Sequence, residues 1–258
     1  MKFKSIFIGH WTLIIVSSFF WLACNVDEEP SIIEKPSNDL GDYNLPVSVQ
    51  GLFDTEVLKV TGSLVPFIDR IQKNGMKIYQ GDAPPEIFKG TYDDNRVIIK
   101  KESISFRINH DCVYDEYYPS YKDSTFGGYI DQFFFSNEEP AISLISYSSM
   151  EGNPTSLFPA GMDQAETEGI FSGDKNNFTL FFKVDNGLYN RIRYTALWIY
   201  SGTIREEFRD TSPLTSISIL SNVTKCFVLV NKGSDPNREM ANKGTIRIFR
   251  DDGSKEGF

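Results

Sequence analysis

The sequence predicts an all-β domain: an antiparallel meander β-barrel of about eight strands, preceded by a short helical segment. Beyond Gly75 the spacing of the apolar residues changes from about 3.6 to about 2, which indicates strands. Turn residues separate these strands at short intervals that leave little room for crossover helices, so neighbouring strands are expected to pair antiparallel. The chain contains 21 Phe and 12 Tyr, which suits a β-rich core or a binding surface.

One segment before the strands has the signals of a helix, from Gly62 to Gly75. Ser63 is a candidate N-cap, Pro66 falls in the first turn, and Asn74-Gly75 supplies the stop. The apolar side chains that share one face of this helix are Leu64, Phe67, Ile68 and Ile71. The preceding residues, Phe53 to Val60, are expected to add a turn or two.

Nine segments have the alternation and composition of strands. They are Arg96–Ile108, Gly128–Ser136, Ala141–Ser149, Ala165–Ser172, Asn177–Val184, Arg191–Gly202, Leu214–Ser221, Lys225–Asn231 and Gly244–Arg250. Four stretches that carry Gly, Asn, Asp or Pro are predicted as turns between them. These turns are Asn137–Pro140, Gly173-Asp174-Lys175, Asp185-Asn186-Gly187 and Lys232–Asn237.

The alternation within two of the strands favours a barrel over a sandwich. One face carries Phe178, Leu180, Phe182 and Val184 in the first strand, and Tyr194, Ala196, Trp198 and Tyr200 in the second. The opposite face carries Thr179, Phe181 and Lys183, and Thr195, Leu197 and Ile199, so it is not fully polar. A barrel with an aromatic interior, partly covered outside by the helical segment, accommodates both faces.

The N-terminus has the features of a lipoprotein precursor. Lys2 and Lys4 precede an apolar run from Ile6 to Phe20 that is too short for a spanning helix, and the run closes on Leu22-Ala23-Cys24. We therefore predict a signal peptide over residues 1–23, with lipid (palmitate-type acyl chains) attached at Cys24. The alternative is an ordinary signal peptide with an incidental cysteine. Residues 24–43 are predicted to be a flexible acidic tether, and residues 44–258 a single domain.

Two groups of short motifs resemble a known family. The acidic stretch Asn25-Val26-Asp27-Glu28-Glu29-Pro30 resembles the surface-export signal of Bacteroidetes lipoproteins. Gly81 to Tyr92, with Pro84-Pro85 and Gly90-Thr91-Tyr92, is similar to the entry into the lipocalin-like β-barrel domain of Bacteroidetes surface lipoproteins, as are Phe178-Thr179, Ser201-Gly202-Thr203 and Gly244 to Gly253. The family is largely uncharacterised, so the resemblance implies a lipocalin-like fold and an outer-membrane, cell-surface location more than an activity.

Composition argues against several classes of function. The net charge of −9 without a basic stripe makes nucleic acid an unsuitable partner. After removal of the signal peptide, His110 is the one histidine, and in His110-Asp111-Cys112 at most the two outer side chains share a face. A structural zinc site needs four ligands, and no phosphate-binding or dinucleotide motif is present, so neither a metal nor a cofactor is expected.

Cys112 and Cys226 are the thiols that remain after acylation of Cys24. Exported proteins often pair their cysteines, but pairing requires Cα atoms within about 7 Å, which a sequence does not establish. Two buried free thiols are the primary expectation, and a disulfide is the alternative.

Two sets of aromatic residues are candidates for ligand binding. Phe178, Phe182, Trp198 and Tyr200 would line the barrel interior. Tyr114, Tyr117 and Tyr118 lie beside the acids Asp111, Asp115 and Glu116. The tyrosines could stack on a sugar ring while the acids accept hydrogen bonds from its hydroxyls. The alternative is a loop folded over the barrel by its tyrosines.

The sequence therefore favours a non-catalytic, membrane-anchored lipoprotein that binds a small apolar ligand, a glycan or an envelope partner. One alternative is a structural or accessory cell-surface protein whose barrel is filled. The other is a carboxylate-dependent glycoside hydrolase, which would need two facing carboxyl groups roughly 5–10 Å apart. The oligomeric state is left open.

Overall fold

The computed structural model describes the backbone of residues 35–85, 89–93, 96–99, 102–135, 142–148, 163–189, 191–209 and 215–251. It describes the side chains of residues 35–85, 111–124, 167–189, 191–204 and 220–251. Residues 35–258 form one compact unit. The predicted signal peptide, Cys24, the first part of the tether, the Asn137–Pro140 turn and the His110 side chain lie outside the described residues.

From residue 35 onward, three short helices precede the strands: α1 (Val49–Leu52), α2 (Thr55–Thr61) and α3 (Leu64–Lys73). The α3 helix confirms the predicted helical segment, and Leu64, Phe67, Ile68 and Ile71 are its buried residues. Its predicted side-chain cap is wrong, because the hydroxyl of Ser63 accepts a hydrogen bond from the backbone N–H of Ser37 instead.

The α2 helix is capped by Asp54 and tied to the strands through the same residue. The Asp54 carboxylate accepts from the backbone N–H groups of Glu56 and Val57, two donors that the first turn leaves unpaired. Its second oxygen lies 2.8 Å from Nζ of Lys183. Partial burial alone would raise the pKa of Asp54, but the hydrogen bonds from Lys183 and from the helix N–H groups lower it overall.

The rest of the described chain is mostly β, as the sequence predicts. A single turn of 3-10 helix, Pro119–Tyr121, lies between the fourth and fifth strands. The strands are β1 (Asp82–Ala83), β2 (Lys89–Asp93), β3 (Arg96–Ile99), β4 (Glu102–Asp115), β5 (Thr125–Phe135), β6 (Ile142–Ser148), β7 (Asp163–Asp174), β8 (Asn177–Tyr189), β9 (Ile192–Arg209), β10 (Thr215–Lys232) and β11 (Ile246–Asp251).

These strands form one 11-stranded sheet in the order β11-β4-β5-β6-β7-β8-β9-β10-β2-β3. Every pairing along this order is antiparallel, and among the described strands only β1 pairs in parallel, with β7. The long strand β10 has two partners besides β9. Its residues Thr215–Ile217 pair with β2, and Thr224–Val228 pair with β11.

Three predicted strand boundaries are wrong, for related reasons. Asp185-Asn186-Gly187 is a register shift inside β8, so its turn-type residues form a bulge within the strand. The two predicted strands Leu214–Ser221 and Lys225–Asn231 are one strand, β10, with a register shift between Ser221 and Thr224. Conversely, Arg96–Ile108 is divided between β3 and β4.

Both faces of β8, β9 and β10 are buried, which confirms the predicted alternation. One face packs against the helices, and its sheet residues are Phe181, Leu197, Ile199, Cys226, Val228 and Val230, continued by Ile246 and Ile248. The opposite face, which we call the aromatic face, buries Phe178, Leu180, Phe182, Val184, Tyr194, Ala196, Trp198, Tyr200, Ile204, Val223 and Leu229. Strands that are apolar on both sides need cover on both sides, and the helices provide it on one.

The domain begins earlier than the sequence predicts. Leu40, inside the predicted tether, is buried in the same core cluster as the helix residues. The hydroxyl of Tyr43 contacts Asp69 and Gln72 on α3, and burial together with the Asp69 carboxylate raises the pKa of Tyr43 to about 12. These contacts place the end of the predicted tether in the folded domain.

Candidate functional site

The register of β8, β9 and β10 places aromatic residues side by side on the aromatic face. Phe182 is paired with Trp198, and Trp198 is paired with Phe227 on the next strand. Ring contacts then connect five residues in sequence: Tyr194 to Phe227 at 6.2 Å, Phe227 to Trp198 at 5.9 Å, Trp198 to Tyr200 at 6.3 Å and Tyr200 to Phe182 at 6.0 Å between centroids. These distances are in the range of favourable edge and tilted aromatic pairs.

Two of these rings lie directly over glycines of the neighbouring strand. A Cβ added at Gly169 would lie 2.2 Å from Cε1 of Phe182, and one added at Gly187 would lie 2.1 Å from Cζ of Tyr194. Both pairs are opposite each other in the sheet register. Because each ring occupies the position of the missing side chain, it lies along the sheet instead of standing away from it.

Lys225 lies among these rings. Lys225 is paired with Tyr200 across β9 and β10, and only 6% of it is exposed. Its ammonium group is 4.0 Å from the centroid of the Trp198 ring and 5.4 Å from that of Tyr200. A cation over an indole face is attracted by the negative potential of the ring, which helps to explain how this face accommodates a charge.

Trp198 also carries a polar atom without a partner. The indole is completely buried, and its Nε1 is the one buried side-chain nitrogen or oxygen atom in the described part of the chain that has no hydrogen-bond partner. Buried indole N–H groups normally find an acceptor. The aromatic face therefore combines a cation and an unused donor at one ring.

The predicted tyrosine-acid stretch forms a turn after β4 whose acids have structural roles. Asp115 accepts hydrogen bonds from the backbone N–H groups of Tyr117 and Tyr118 and from Nε of Arg247, at 2.8–2.9 Å. Glu116 accepts from Tyr114, from a side-chain nitrogen of Arg70 and from the N–H of Ile246. Both carboxylates thus hold the turn against β11 and α3, and each accepts three hydrogen bonds from the protein.

The tyrosines of this turn separate into two environments. Tyr114 is partly buried against the helix-packed face. The pKa of its hydroxyl is raised, mainly by burial and secondly by the hydrogen bond to Glu116. Tyr117, Tyr118 and Tyr121 are grouped at the surface, with ring centroids 4.3 and 4.7 Å apart along the series. Tyr118 and Tyr121 are 39% and 36% exposed. The turn thus exposes a small aromatic surface.

The two cysteines are free and buried. Burial raises the pKa of both thiols, which keeps them protonated and weakly nucleophilic. Within the described ranges, no cluster of three His, Cys, Asp or Glu side chains could hold a metal ion.

No family model, curated protein or solved structure matches this chain. A separate finding is that none of the helices in the described residues has the length and apolarity that crossing a bilayer requires.

The seven predicted ligand-binding residues therefore fall in two places. Phe178, Phe182, Trp198 and Tyr200 come together on the aromatic face, whereas Tyr114, Tyr117 and Tyr118 belong to the turn after β4. Sequence analysis missed Lys225, because the residue was assigned to the start of a strand. In the continuous strand β10 the alternation Val223, Lys225, Phe227, Leu229 would have revealed a cation on an otherwise apolar face.

Proposed function

We propose that this chain is a non-catalytic lipoprotein, anchored in the outer membrane through lipid on Cys24 and exposed at the cell surface, whose aromatic face lines a chamber for a small ligand. The single observation that carries the ligand-binding part is the arrangement of the aromatic side chains. The rings of Phe182 and Tyr194 lie along the sheet over Gly169 and Gly187. Rings that lie along a wall leave more room beside them than rings that project from it.

The same proposal includes a closed, lipocalin-like barrel. It is supported by the pairings of β4 to β11, because each of these strands has a partner on both sides. The series runs from β4 through β10 in chain order, β10 pairs with β11, and β11 pairs with β4. Pairings of this kind support the proposal, because closing such a series of strands would give an eight-stranded meander barrel. The aromatic face would then be its interior.

The proposed location at the outer membrane rests on the sequence. A basic start, a short apolar run and Leu22-Ala23-Cys24 are typical of lipoprotein precursors, and the acidic residues that follow resemble a surface-export signal. Acyl chains on Cys24 would hold the domain at the membrane, since more than one chain is needed for stable anchoring.

The non-catalytic assignment is supported by the interactions of the carboxylates and thiols that are the best candidates for catalysis. Asp115 and Glu116, the acids of the tyrosine turn, accept structural hydrogen bonds, and the buried thiols of Cys112 and Cys226 have raised pKa values. Because these groups already have structural roles or lowered reactivity, the hydrolase alternative is less well supported than ligand binding. The structural alternative, a barrel filled by its own side chains, differs from our proposal in having no space beside the rings.

A binding screen tests the proposal. The chain from Asn25 to Phe258, which retains the whole compact unit, would be exposed to a library of lipids, apolar metabolites and glycans and analysed by native mass spectrometry. We expect one-to-one complexes with members of the lipid or apolar set, and loss of these complexes in an Ala196→Phe variant that fills the aromatic face. A library that yields no complex, or complexes that persist unchanged in this folded variant, would contradict a chamber on this face.

A further inference from the structure

Three connections between strands lie at one end of the sheet. β9 begins beside the end of β10, because Tyr194 pairs with Lys232. β4 ends beside the beginning of β11, because Asp115 pairs with Arg247. The segments that adjoin these strand ends are residues 116–124, 191–193 and 233–245. We call these three segments the loop end, and the pairings make them neighbours on the surface.

The loop end is cationic, although the whole chain has a net charge of −9. Its exposed acids are Asp123 and Glu239. Its exposed cations are Lys122, Arg191, Arg193, Arg238 and Lys243. Five exposed positive charges thus face solvent beside two negative ones, which favours an anionic partner.

Three arginines of the loop end are free to bind such a partner. Arg191, Arg193 and Arg238 are exposed, and none of them forms an ion pair within the described part of the chain. The acid nearest to them in the loop, Asp235, is occupied by Lys232 at 2.7 Å. Arginine suits phosphate groups in particular, because its planar fork donates two hydrogen bonds to them at once.

Exposed aromatic rings accompany these cations. Tyr118 and Tyr121 in the turn after β4 are two of the three large apolar side chains that are exposed among the described residues. Tyrosine is enriched where membranes meet water, because its ring enters the apolar layer while its hydroxyl stays hydrated. Tyrosines beside unpaired arginines therefore match a lipid surface that carries phosphate.

The predicted anchor is close enough for this contact. Ser37 accepts a hydrogen bond from the backbone N–H of Leu64 at the start of α3, and Arg70 in the last turn of this helix contacts Glu116 of the loop end. The α3 helix is about 15 Å long. Cys24 precedes Ser37 by thirteen positions, so the chain between them spans at most about 45 Å. A lipid on Cys24 thus leaves the loop end within reach of the same bilayer.

We propose that the loop end is a second membrane contact, at which the tyrosines enter the headgroup layer and the arginines bind the phosphates of anionic lipids. This inference rests on the proposed anchoring through Cys24 and adds the face that the domain turns towards the bilayer. Each Lys or Arg near an anionic surface strengthens binding about fivefold, so three arginines give the unanchored domain a measurable affinity of its own.

The test is vesicle binding by the unanchored Asn25–Phe258 chain, which retains the compact unit. Sedimentation would compare vesicles of phosphatidylcholine alone with vesicles that also contain phosphatidylglycerol. We expect at least tenfold tighter binding to the anionic vesicles in dilute salt, and loss of this preference as salt is added. In a variant with Arg191→Gln, Arg193→Gln and Arg238→Gln, the preference should fall below threefold.

A matched control removes the same charge from exposed positions outside the loop end. The variant with Lys77→Gln, Lys175→Gln and Arg250→Gln should retain the preference, since none of the three lies in these connections. Tyr118→Ser with Tyr121→Ser should weaken binding several-fold to both kinds of vesicle and leave the preference for anionic lipid.

Four results would overturn the inference. They are no binding by the wild type, equal binding to the two kinds of vesicle, equal losses in the two triple variants, and unchanged binding by the tyrosine variant. The anchor is tested separately by palmitate labelling of Cys24→Ala, so a failure of the second contact is distinguishable from a failure of the proposed anchoring.

Discussion

Gly169 is the position where a single methyl group tests the arrangement of the aromatic face. A Cβ at Gly169 would lie 2.2 Å from Cε1 and 2.4 Å from Cδ1 of Phe182, whereas ordinary contacts begin at 3.4 Å. The backbone cannot easily yield, because the carbonyl oxygen of Phe181 lies 3.0 Å from the same point. The Phe182 ring must therefore leave its place. We expect Gly169→Ala to lower the free energy of unfolding by about 1–3 kcal/mol.

The assay is a double-mutant cycle by chemical denaturation. Phe182→Ala alone should cost about 2 kcal/mol, less than the roughly 3–5 kcal/mol of a ring packed on all sides, because one side of this ring would border the chamber. In the Phe182→Ala background, Gly169→Ala should cost less than about 0.5 kcal/mol, because the clash is gone. Gly51→Ala is the control: a Cβ there meets no atom within 4 Å, so stability should stay the same or rise slightly.

Two results would refute this reasoning. An equal cost of Gly169→Ala with and without the Phe182 ring would mean that the ring does not lie over this glycine. A loss of about 3–5 kcal/mol for Phe182→Ala, repeated for Trp198→Ala, would indicate a filled interior and favour the structural alternative.

Three further predictions concern the anchor, the thiols and the helix cap. Cys24→Ala should abolish metabolic labelling with palmitate, and unchanged labelling with unchanged detergent partitioning would exclude Cys24 as the anchor. The purified Asn25–Phe258 chain should show two reactive thiols when unfolded and almost none when native, because Cys112 and Cys226 are buried and their pKa values are raised; no thiol before reduction would mean a disulfide. Asp54→Ala should cost about 1 kcal/mol at neutral pH through loss of the α2 cap. Because the pKa of Asp54 is lowered in the fold, this stabilisation is present above about pH 4 and should fade as the pH falls below that value; a difference that stays constant down to about pH 2 would contradict it.

Local periodicity was sufficient to predict much of this fold. The period near 3.6 and the Asn74-Gly75 stop define α3, and the period of 2 in β8 and β9 assigns each residue to its correct face. These features depend on neighbours in the chain. The helices cover one face of the sheet because Leu64, Phe67 and the residues near them form a matching apolar surface.

Bulges account for most of what the sequence did not predict. Asp185-Asn186-Gly187 has the composition of a turn, yet Gly187 continues β8 with the ring of Tyr194 over it. Likewise, the irregularity between Ser221 and Thr224 made one strand look like two. In both cases cross-strand contacts override the local turn preference, and such contacts are not readable from spacing.

The candidate site was only half predictable, for the same reason. The residues Phe182, Trp198 and Tyr200 were expected on one face because alternation within a strand is local. The position of Lys225 beside Trp198 depends on the register between β9 and β10, and the unpaired N–H depends on every atom around it. Nothing in the tyrosine turn revealed that Asp115 would be occupied by backbone N–H groups and Arg247.

The central claim, that the aromatic face borders open space, is tested most directly by the unfolding free energy of Ala196→Phe. Ala196 is buried on this face, whereas its neighbour Leu197 is buried against the helices. If a chamber lies beside Ala196, the added ring enters it and the loss stays below about 1 kcal/mol, while Leu197→Trp on the packed side loses about 1–3 kcal/mol. An Ala196→Phe variant as destabilised as Leu197→Trp would contradict the chamber.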